Sequence, residues 1–271
     1  MLLRRFVAPN GKLYAFNRNE PGHKVFSAAP EKLFVGKHLY TETDSTGQKS
    51  DWLEKHFAKL EGTTNPIIEK IVSAVRSGKM PGLTRNEKAL LDLFLYYQWK
   101  RVPDFETSLD IFADFEDVLG RAVEKFERTC RALRGDERAN LKNPETLARI
   151  KQSAKLKSLA DPGQNVQQLL SRKGLAIAVI GRPNKSFIIG SQPVAKFTLP
   201  GRAHLSDPTV EIWLPIAHDV AITPAPQRGN ETIAVIRDDK LIRHINTGIC
   251  GQSTIIAGRS EALIKSLANM R

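Results

Sequence analysis

The chain has 271 residues, of which 41 % are hydrophobic and 26 % are charged, the composition of an ordinary globular protein that can bury a full core. The longest strand-like apolar run, residues 175–180, is far too short to cross a bilayer, and Cys130 and Cys250 are too few for a disulfide scaffold. These facts exclude a membrane protein and a small secreted scaffold, predict a cytoplasmic location, and leave a formal net charge of +12 that favours acidic partners.

The first fifty residues predict a small β-meander. Polar and apolar residues alternate over 11–16, Pro21-Gly22 is a turn signal, and short apolar runs follow at 25–26 and 33–35. The polar residues 41–50 predict a loop before the first helix.

A pair of helices is predicted between residues 51 and 82. Leu53, Phe57 and Leu60 have helical spacing, and Gly62 interrupts the pattern. Asn65 then resembles a helix cap with Pro66 in the first turn, where a proline costs nothing. The sequence therefore predicts two helices separated near Gly62.

Residues 83–103 predict the central helix of the protein. Thr84 and Glu87 have the spacing of a capping box, and Pro103 disfavours helical geometry at the preceding residue. Apolar residues cover nearly the whole circumference between these ends, which is typical of a helix buried on all sides. Further helices are predicted over 109–126, after Asn143, and over 163–170.

The last hundred residues predict a mixture of strands and helices. Strands are expected at 174–180, 186–189, 194–197, 210–214, 220–222, 233–236 and 254–257, with helices over 239–250 and 260–270. The predicted fold class is therefore α+β, with an N-terminal β-meander, a central helical bundle around a buried helix, and a C-terminal mixed α/β part. The expected segments are residues 1–50, 51–172 and 173–271, either as separate domains or as one compact unit.

An ordered series of short segments resembles one known family. The segments are Leu2-Leu3-Arg4-Arg5-Phe6, His38-Leu39-Tyr40-Thr41, Gln98-Trp99-Lys100-Arg101-Val102-Pro103, Phe187-Ile188-Ile189, Trp213-Leu214-Pro215 and Ile245-Asn246. Their order resembles the bacterial domain-of-unknown-function family 4238 over nearly the whole chain. The resemblance implies no established activity. It implies that a few residues are missing before Met1, and that Ser191 occupies a position where such proteins usually carry Asp.

A cluster of basic residues predicts a nucleic-acid surface. Its members within residues 121–157 include Arg128, Arg131, Arg134, Arg138 and Lys142. Basic side chains along helices can neutralise phosphates, but acidic neighbours such as Glu127 and Glu137 are equally compatible with an ordinary solvated face.

The leading function hypothesis is therefore a basic protein that binds RNA or DNA, and its narrower form links this binding to defence or nuclease activity. The alternative is a non-enzymatic interaction module that does not bind nucleic acid.

A second candidate site combines Glu61, Gln98 and Arg101. Gln98 and Arg101 are three residues apart and share a face at the end of the central helix. Arg101 is expected to pair with Glu61, either as a buried ion pair that fixes helix register or as part of a cleft for a phosphate or carboxylate.

Other chemical motifs are missing from the sequence. Residues 181–186 lack the glycine that a phosphate loop needs before its lysine, the histidines are not clustered as zinc ligands, and no Gly-x-Ser-x-Gly elbow is present. The sequence thus identifies no catalytic residue and predicts no cofactor or metal.

Overall fold

The computed structural model describes residues 2–22, 24–34, 40–43, 47–100, 115–198, 205–207, 209–227, 229 and 231–270. The helices are α1 Trp52–Arg76, α2 Arg85–Lys100, α3 Phe115–Thr129, α4 Gly135–Asn140, α5 Pro144–Ala160, α6 Gln164–Ser171, α7 Asp239–Gln252 and α8 Glu261–Ala268. The strands are β1 Leu13–Asn17, β2 Phe26–Ala28, β3 Glu42–Thr43, β4 Lys49–Ser50, β5 Gly174–Ile180, β6 Ile189–Gly190, β7 Ala195–Phe197, β8 Glu211–Ala217, β9 Val220–Ala225, β10 Glu231–Ile236 and β11 Ile255–Gly258. This mixture confirms the predicted α+β class.

The chain forms two compact units with boundaries different from those of the three predicted segments. The first unit contains Met1–Lys37, Lys59–Val102 and Pro162–Arg271, and the second contains His38–Ala58 and Pro103–Asp161. The central helix α2 belongs to the same unit as the C-terminal strands because its apolar side chains share a core with them.

Two sheets organise the first unit. The larger has the order β10-β5-β9-β8-β7, in which β10 and β5 run parallel and the other pairs are antiparallel. The smaller has the antiparallel order β2-β1-β11-β6. Side chains of the larger sheet contribute to two hydrophobic clusters. Ala178, Ala221 and Ile236 share one cluster with the smaller sheet, α7 and α8. Ile177, Leu214 and Ile222 share the other with α1 and α2.

The buried central helix is confirmed. The Thr84 backbone N–H donates to Glu87 Oε2 over 2.7 Å and the Glu87 N–H donates to Thr84 Oγ1 over 3.2 Å, which is the predicted capping box. None of residues 90–100 is exposed, and Leu91, Phe94 and Leu95 belong to one core cluster with strand residues of the larger sheet.

The predicted break at Gly62 is wrong, because α1 continues through it to Arg76 with Pro66 inside the helix. Proline removes one helical hydrogen bond but leaves the bonds on either side. The Thr63 and Thr64 hydroxyls donate to the carbonyls of Lys59 and Leu60, and the buried face of Ile67 and its neighbours supplies packing that a capping signal cannot reveal.

The N-terminal segment differs from the predicted meander. Strand β1 lies between β2 and the C-terminal β11, so its sheet is completed by residues from the other end of the chain. The predicted strand at 33–35 does not form at Leu33 and Phe34, because Phe34 has a φ of 57°, a left-handed conformation incompatible with a strand. Residues 35–39 lie outside the described part.

In the second unit, the carboxylate of Glu42 at the small β3-β4 hairpin connects two helices. Trp52 Nε1 and Ser153 Oγ each donate to this carboxylate over 2.8 Å. These two hydrogen bonds, Ser153 first, lower the pKa of Glu42 below its ordinary value. The predicted helix over 109–126 is seen from Phe115 onward, and its earlier residues lie outside the described part.

Asp92 in α2 is a buried carboxylate that the apolar pattern does not reveal. It accepts 2.6 and 2.7 Å contacts from Lys88 Nζ. Burial raises the pKa of Asp92 to about 6, although the charge and hydrogen bonds of Lys88 act in the opposite direction. The folded state therefore holds this proton more tightly than the unfolded state, so the contribution of Asp92 to stability falls as the pH rises from about 4 to 6.

Asp92→Asn is expected to remove this pH dependence of the free energy of unfolding. Between pH 4 and pH 7 the free energy of unfolding of the wild type should fall relative to that of the variant, by up to about 3 kcal/mol for a two-unit pKa difference. Urea denaturation across this range measures the difference, with the exposed Asp117→Asn as control. Parallel pH curves for the wild type and Asp92→Asn would show that the carboxyl titrates normally.

Candidate anion-binding cleft

An arginine-rich cleft of about 360 Å³ lies in the first unit. We call it the arginine cleft, and its polar lining consists of Arg4, Arg5, Glu69, Arg76, His218 and Arg259. Apolar atoms of Val7, Ala8, Pro9 and Val72 complete the walls. A small concave site with convergent cations is suited to an anionic group.

Separate parts of the chain hold these side chains in place. Arg4 and Arg5 lie on the 3-10 turn Leu2–Phe6, which is fixed by the fully buried Phe6. Glu69 and Arg76 are two turns apart on one face of α1, and Arg259 directly follows β11.

His218 and Asp219 form the tight turn between β8 and β9. The His218 N–H donates to the Arg5 carbonyl over 3.1 Å, and the His218 carbonyl accepts from the Phe187 N–H over 2.7 Å. The Asp219 carbonyl accepts from the Ile180 N–H over 2.8 Å. Since three different segments hold this turn, its side chains have defined positions.

Among the ion-paired arginines of the cleft, Arg5 has the most buried side chain. Its side chain is only 10 % exposed, and Nη2 lies 2.6 Å from both Asn65 Oδ1 and Glu69 Oε1. Its Nε is buried and has no hydrogen-bond partner among the residues that the structure describes. A buried donor without a partner costs free energy, so an acceptor that reached it would be stabilised.

Arg76 forms a two-point contact with Asp219. Arg76 Nε lies 2.8 Å from Oδ2 and Nη2 lies 2.7 Å from Oδ1. Burial alone would raise the pKa of Asp219, but the hydrogen bonds and charge of Arg76, together with His218, hold that pKa below its ordinary value. Asp219 is therefore a carboxylate at neutral pH, and it fixes the Arg76 guanidinium at the cleft wall.

His218 lies against the guanidinium of Arg259. Arg259 Nη1 is 2.9 Å from Nε2 and 3.1 Å from Nδ1 of the ring. These nearly equal distances place Nη1 over the ring and not along the direction of either nitrogen's lone pair. Burial lowers the pKa of His218, the cations Arg259 and Arg76 lower it further, and Asp219 opposes them. The imidazole is consequently neutral at neutral pH.

The arginine cleft carries excess positive charge. Arg4 pairs with Glu31, Arg5 with Glu69 and Arg76 with Asp219, whereas no carboxylate in the described part of the chain pairs with Arg259. Four arginines against three carboxylates leave one positive charge for an incoming anion. Arg259 is thus the cation whose charge is most available.

The sequence-predicted basic surface is largely ion-paired. Arg131 and Arg134 both contact Glu137, and Arg138 contacts Glu127 over 2.7 Å. The hydrogen bond from Arg131, followed by that from the Arg134 backbone, lowers the pKa of Glu137 to about 2.

The two other cations of that surface have no such carboxylate contact in the described structure. Arg128 Nε contacts the Glu124 carbonyl, and Lys142 is exposed. Three of the five predicted cations therefore have their charge offset locally.

The predicted cleft of Glu61, Gln98 and Arg101 lies partly outside the described residues. Gln98 is buried and Glu61 is partly exposed, but Arg101 falls in the range 101–114. The pairing of Arg101 with Glu61 stays a prediction.

Two further expectations concern metals and membranes. Within the described ranges, no group of His, Cys, Asp or Glu side chains is placed to hold a metal ion. Of the helices that the structure describes, none is both long and apolar enough to span a membrane.

The arginine cleft was not predicted from the sequence. Its residues come from four distant segments, and only long-range folding brings them together. One local signal was present, namely the adjacent cations Arg4 and Arg5 inside the otherwise apolar segment Leu2–Phe6.

Comparison with known proteins identifies the family of the chain. The family described as "Protein of unknown function (DUF4238)" matches residues 1–261. The chain belongs to this family. The segment order noted in the sequence, including the Leu2–Phe6 segment that contributes Arg4 and Arg5, is thereby confirmed as a family resemblance.

The other comparisons give no information about the function of the chain. The cytoplasmic dynein heavy chain of Saccharomyces cerevisiae is 30 % identical over 95 residues, which cover 34 % of this chain. The chain spans about 2 % of the length of that dynein, so the similarity concerns a small part of a much longer protein. No solved structure matches the DUF4238 chain.

Proposed function

We propose that this DUF4238 protein binds nucleic acid and holds a phosphate group of the strand in the arginine cleft. The observation that carries the proposal is Arg259, which lines the same cleft as Arg4, Arg5 and Arg76 and has no carboxylate partner in the described structure. Guanidinium groups match phosphate oxygens in geometry and charge. The net charge of +12 supports a polyanionic partner.

A cytoplasmic, bacterial setting and a link to defence or nuclease activity belong to this proposal as its narrower form. His218 supports the nuclease form, because a neutral imidazole beside a phosphate site can accept a proton. RNA and DNA are both candidate partners, since cations that contact phosphate do not by themselves distinguish them.

A non-enzymatic interaction module is the second candidate function. Helix α3 of the second unit exposes Val118 at 49 % and Phe126 at 37 %, and Arg131 and Arg138 near its C-terminal end are ion-paired. Exposed apolar side chains next to neutralised charges favour a protein partner over a nucleic acid.

The proposed function predicts salt-sensitive binding that depends on Arg259. A short single strand of RNA or DNA should bind the wild type, and log affinity should fall with log salt by about 0.7 for each phosphate contacted. Arg259→Gln should weaken binding about 10- to 100-fold, the value of one or two charge-assisted hydrogen bonds. Fluorescence anisotropy measures both effects.

Arg243→Gln is the matched control, because it removes the same charge from an exposed position on α7 outside the cleft. Its affinity should stay within about twofold of the wild type. Equal losses in both variants would show that only net charge matters. Loss of binding in Arg128→Gln/Lys142→Gln, with Arg259→Gln unaffected, would move the site to the cluster of basic residues within 121–157.

A further inference from the structure

We propose that the arginine cleft accepts the terminal phosphate of a nucleic-acid strand, a phosphomonoester, in preference to the internal phosphodiesters. This inference rests on the proposed function and names the part of the strand that the cleft recognises. Two features of the cleft support the inference, namely the depth of the Arg5 side chain and the number of positive charges that the cleft can offer.

The depth of Arg5 favours a chain end. The Arg5 side chain is 10 % exposed, whereas those of Arg4 and Arg76 are 73 % and 47 % exposed. An internal phosphodiester carries chain on both sides and must pass across the surface, where the outer arginines lie. A terminal phosphate projects from the strand, so its free oxygens can enter the cleft and approach the guanidinium of Arg5.

The charge of the cleft also fits a terminal phosphate. An internal phosphodiester carries one negative charge, whereas a phosphomonoester carries about −1.5 to −2 at pH 7 and has three acceptor oxygens. Among the described residues no carboxylate pairs with Arg259, which therefore supplies one positive charge and lines the cleft together with the Arg5 guanidinium.

His218 can supply the remaining positive charge. The charged groups around its ring are Asp219 on its own turn, Arg259 after β11 and Arg76 on α1. The two arginines and burial keep the ring neutral in the empty cleft. A dianion placed beside Arg259 would offset those cations and favour protonation of the imidazole, so a second positive charge would appear when the terminal phosphate binds.

The test compares three single strands of one sequence that carry a dye on an internal base. One has a 5′-phosphate, one has a 3′-phosphate, and one has hydroxyls at both ends. At least one phosphorylated strand should bind the wild-type protein about tenfold or more tightly than the hydroxyl strand. Arg259→Gln should reduce this ratio to near one, and Arg243→Gln should preserve it.

Arg4→Gln provides a second cleft variant, because the Arg4 side chain is 73 % exposed and its replacement should leave the fold intact. It should weaken the preferred phosphorylated strand more than the hydroxyl strand. Equal affinity of the wild type for all three strands would overturn the inference and leave the proposed function standing. No binding of any strand would overturn both. A preference that persisted in Arg259→Gln would place the terminal phosphate outside the cleft and overturn the inference.

Discussion

Leu91→Ala is expected to lower the free energy of unfolding by about 2–5 kcal/mol, the range found when a fully buried leucine leaves a cavity. Leu91 is 1 % exposed at the centre of α2 and belongs to the core cluster that contains Leu214 and Ile222 of the larger sheet. The neighbouring strands and helices restrict collapse around the missing atoms, so the cavity should persist.

Urea denaturation followed by circular dichroism measures this loss. Met80→Ala is the control, because Met80 is 45 % exposed just before α2 and its truncation should cost no more than about 0.5 kcal/mol. A Leu91→Ala variant as stable as the control would contradict the position of α2 as a core helix.

Asn246→Ala is expected to destabilise the first unit by a similar amount for a different reason. The Asn246 side chain is 2 % exposed, accepts from the Ile188 N–H over 3.0 Å, and donates to the Ser186 carbonyl over 2.9 Å. Its removal leaves two buried backbone groups without partners, at about 1–3 kcal/mol each.

Thermal and urea unfolding of Asn246→Ala should therefore show a loss on the order of 2–6 kcal/mol. Asn86→Ala, at an exposed position in the first turn of α2, is the matched control and should be nearly silent. If Asn246→Ala and Asn86→Ala unfold alike, water replaces the side chain and Asn246 is not required to connect α7 to residues 186–188.

The sequence predicted the elements whose signals are local. The capping box at Thr84 and Glu87 and the apolar circumference of α2 depend on residues within a few turns, and both are present in the structure. The prediction of a helix start at Pro66 is wrong because it depends on a local signal alone. A proline after a capping residue favours a helix start, but packing along α1 keeps the helix continuous.

Features that depend on distant residues were not predicted. The pairing of β1 with β11 joins opposite ends of the chain, and no pattern within β1 specifies that partner. The arginine cleft likewise depends on the approach of Arg5, Arg76 and Arg259 from separate segments. The burial of Asp92 was not predicted, because the sequence of an apolar helix does not show whether this carboxylate will pair with a lysine one turn away.

The basic residues within 121–157 show that the number of cations in a segment does not give the charge available to a ligand. Arg131 and Arg138 lie close in sequence to Glu137 and Glu127, and the same proximity that clusters the cations also supplies their partners. A linear count of basic residues therefore overestimates the charge available to phosphate at that surface.

The proposal that a strand phosphate enters the arginine cleft is tested most directly by NMR. The measurement follows the arginine Nε–Hε resonances in ¹H–¹⁵N spectra while a short phosphorylated strand is added. Because the Arg5 and Arg259 guanidinium groups both line the cleft, their Nε–Hε signals should shift when a charged acceptor arrives there. If one phosphate enters the cleft, the Arg5 and Arg259 signals should shift together and saturate at the same ligand concentration. Shifts confined to Arg128 and the other arginines within residues 121–157, with the Arg5 and Arg259 signals unchanged, would contradict the proposal.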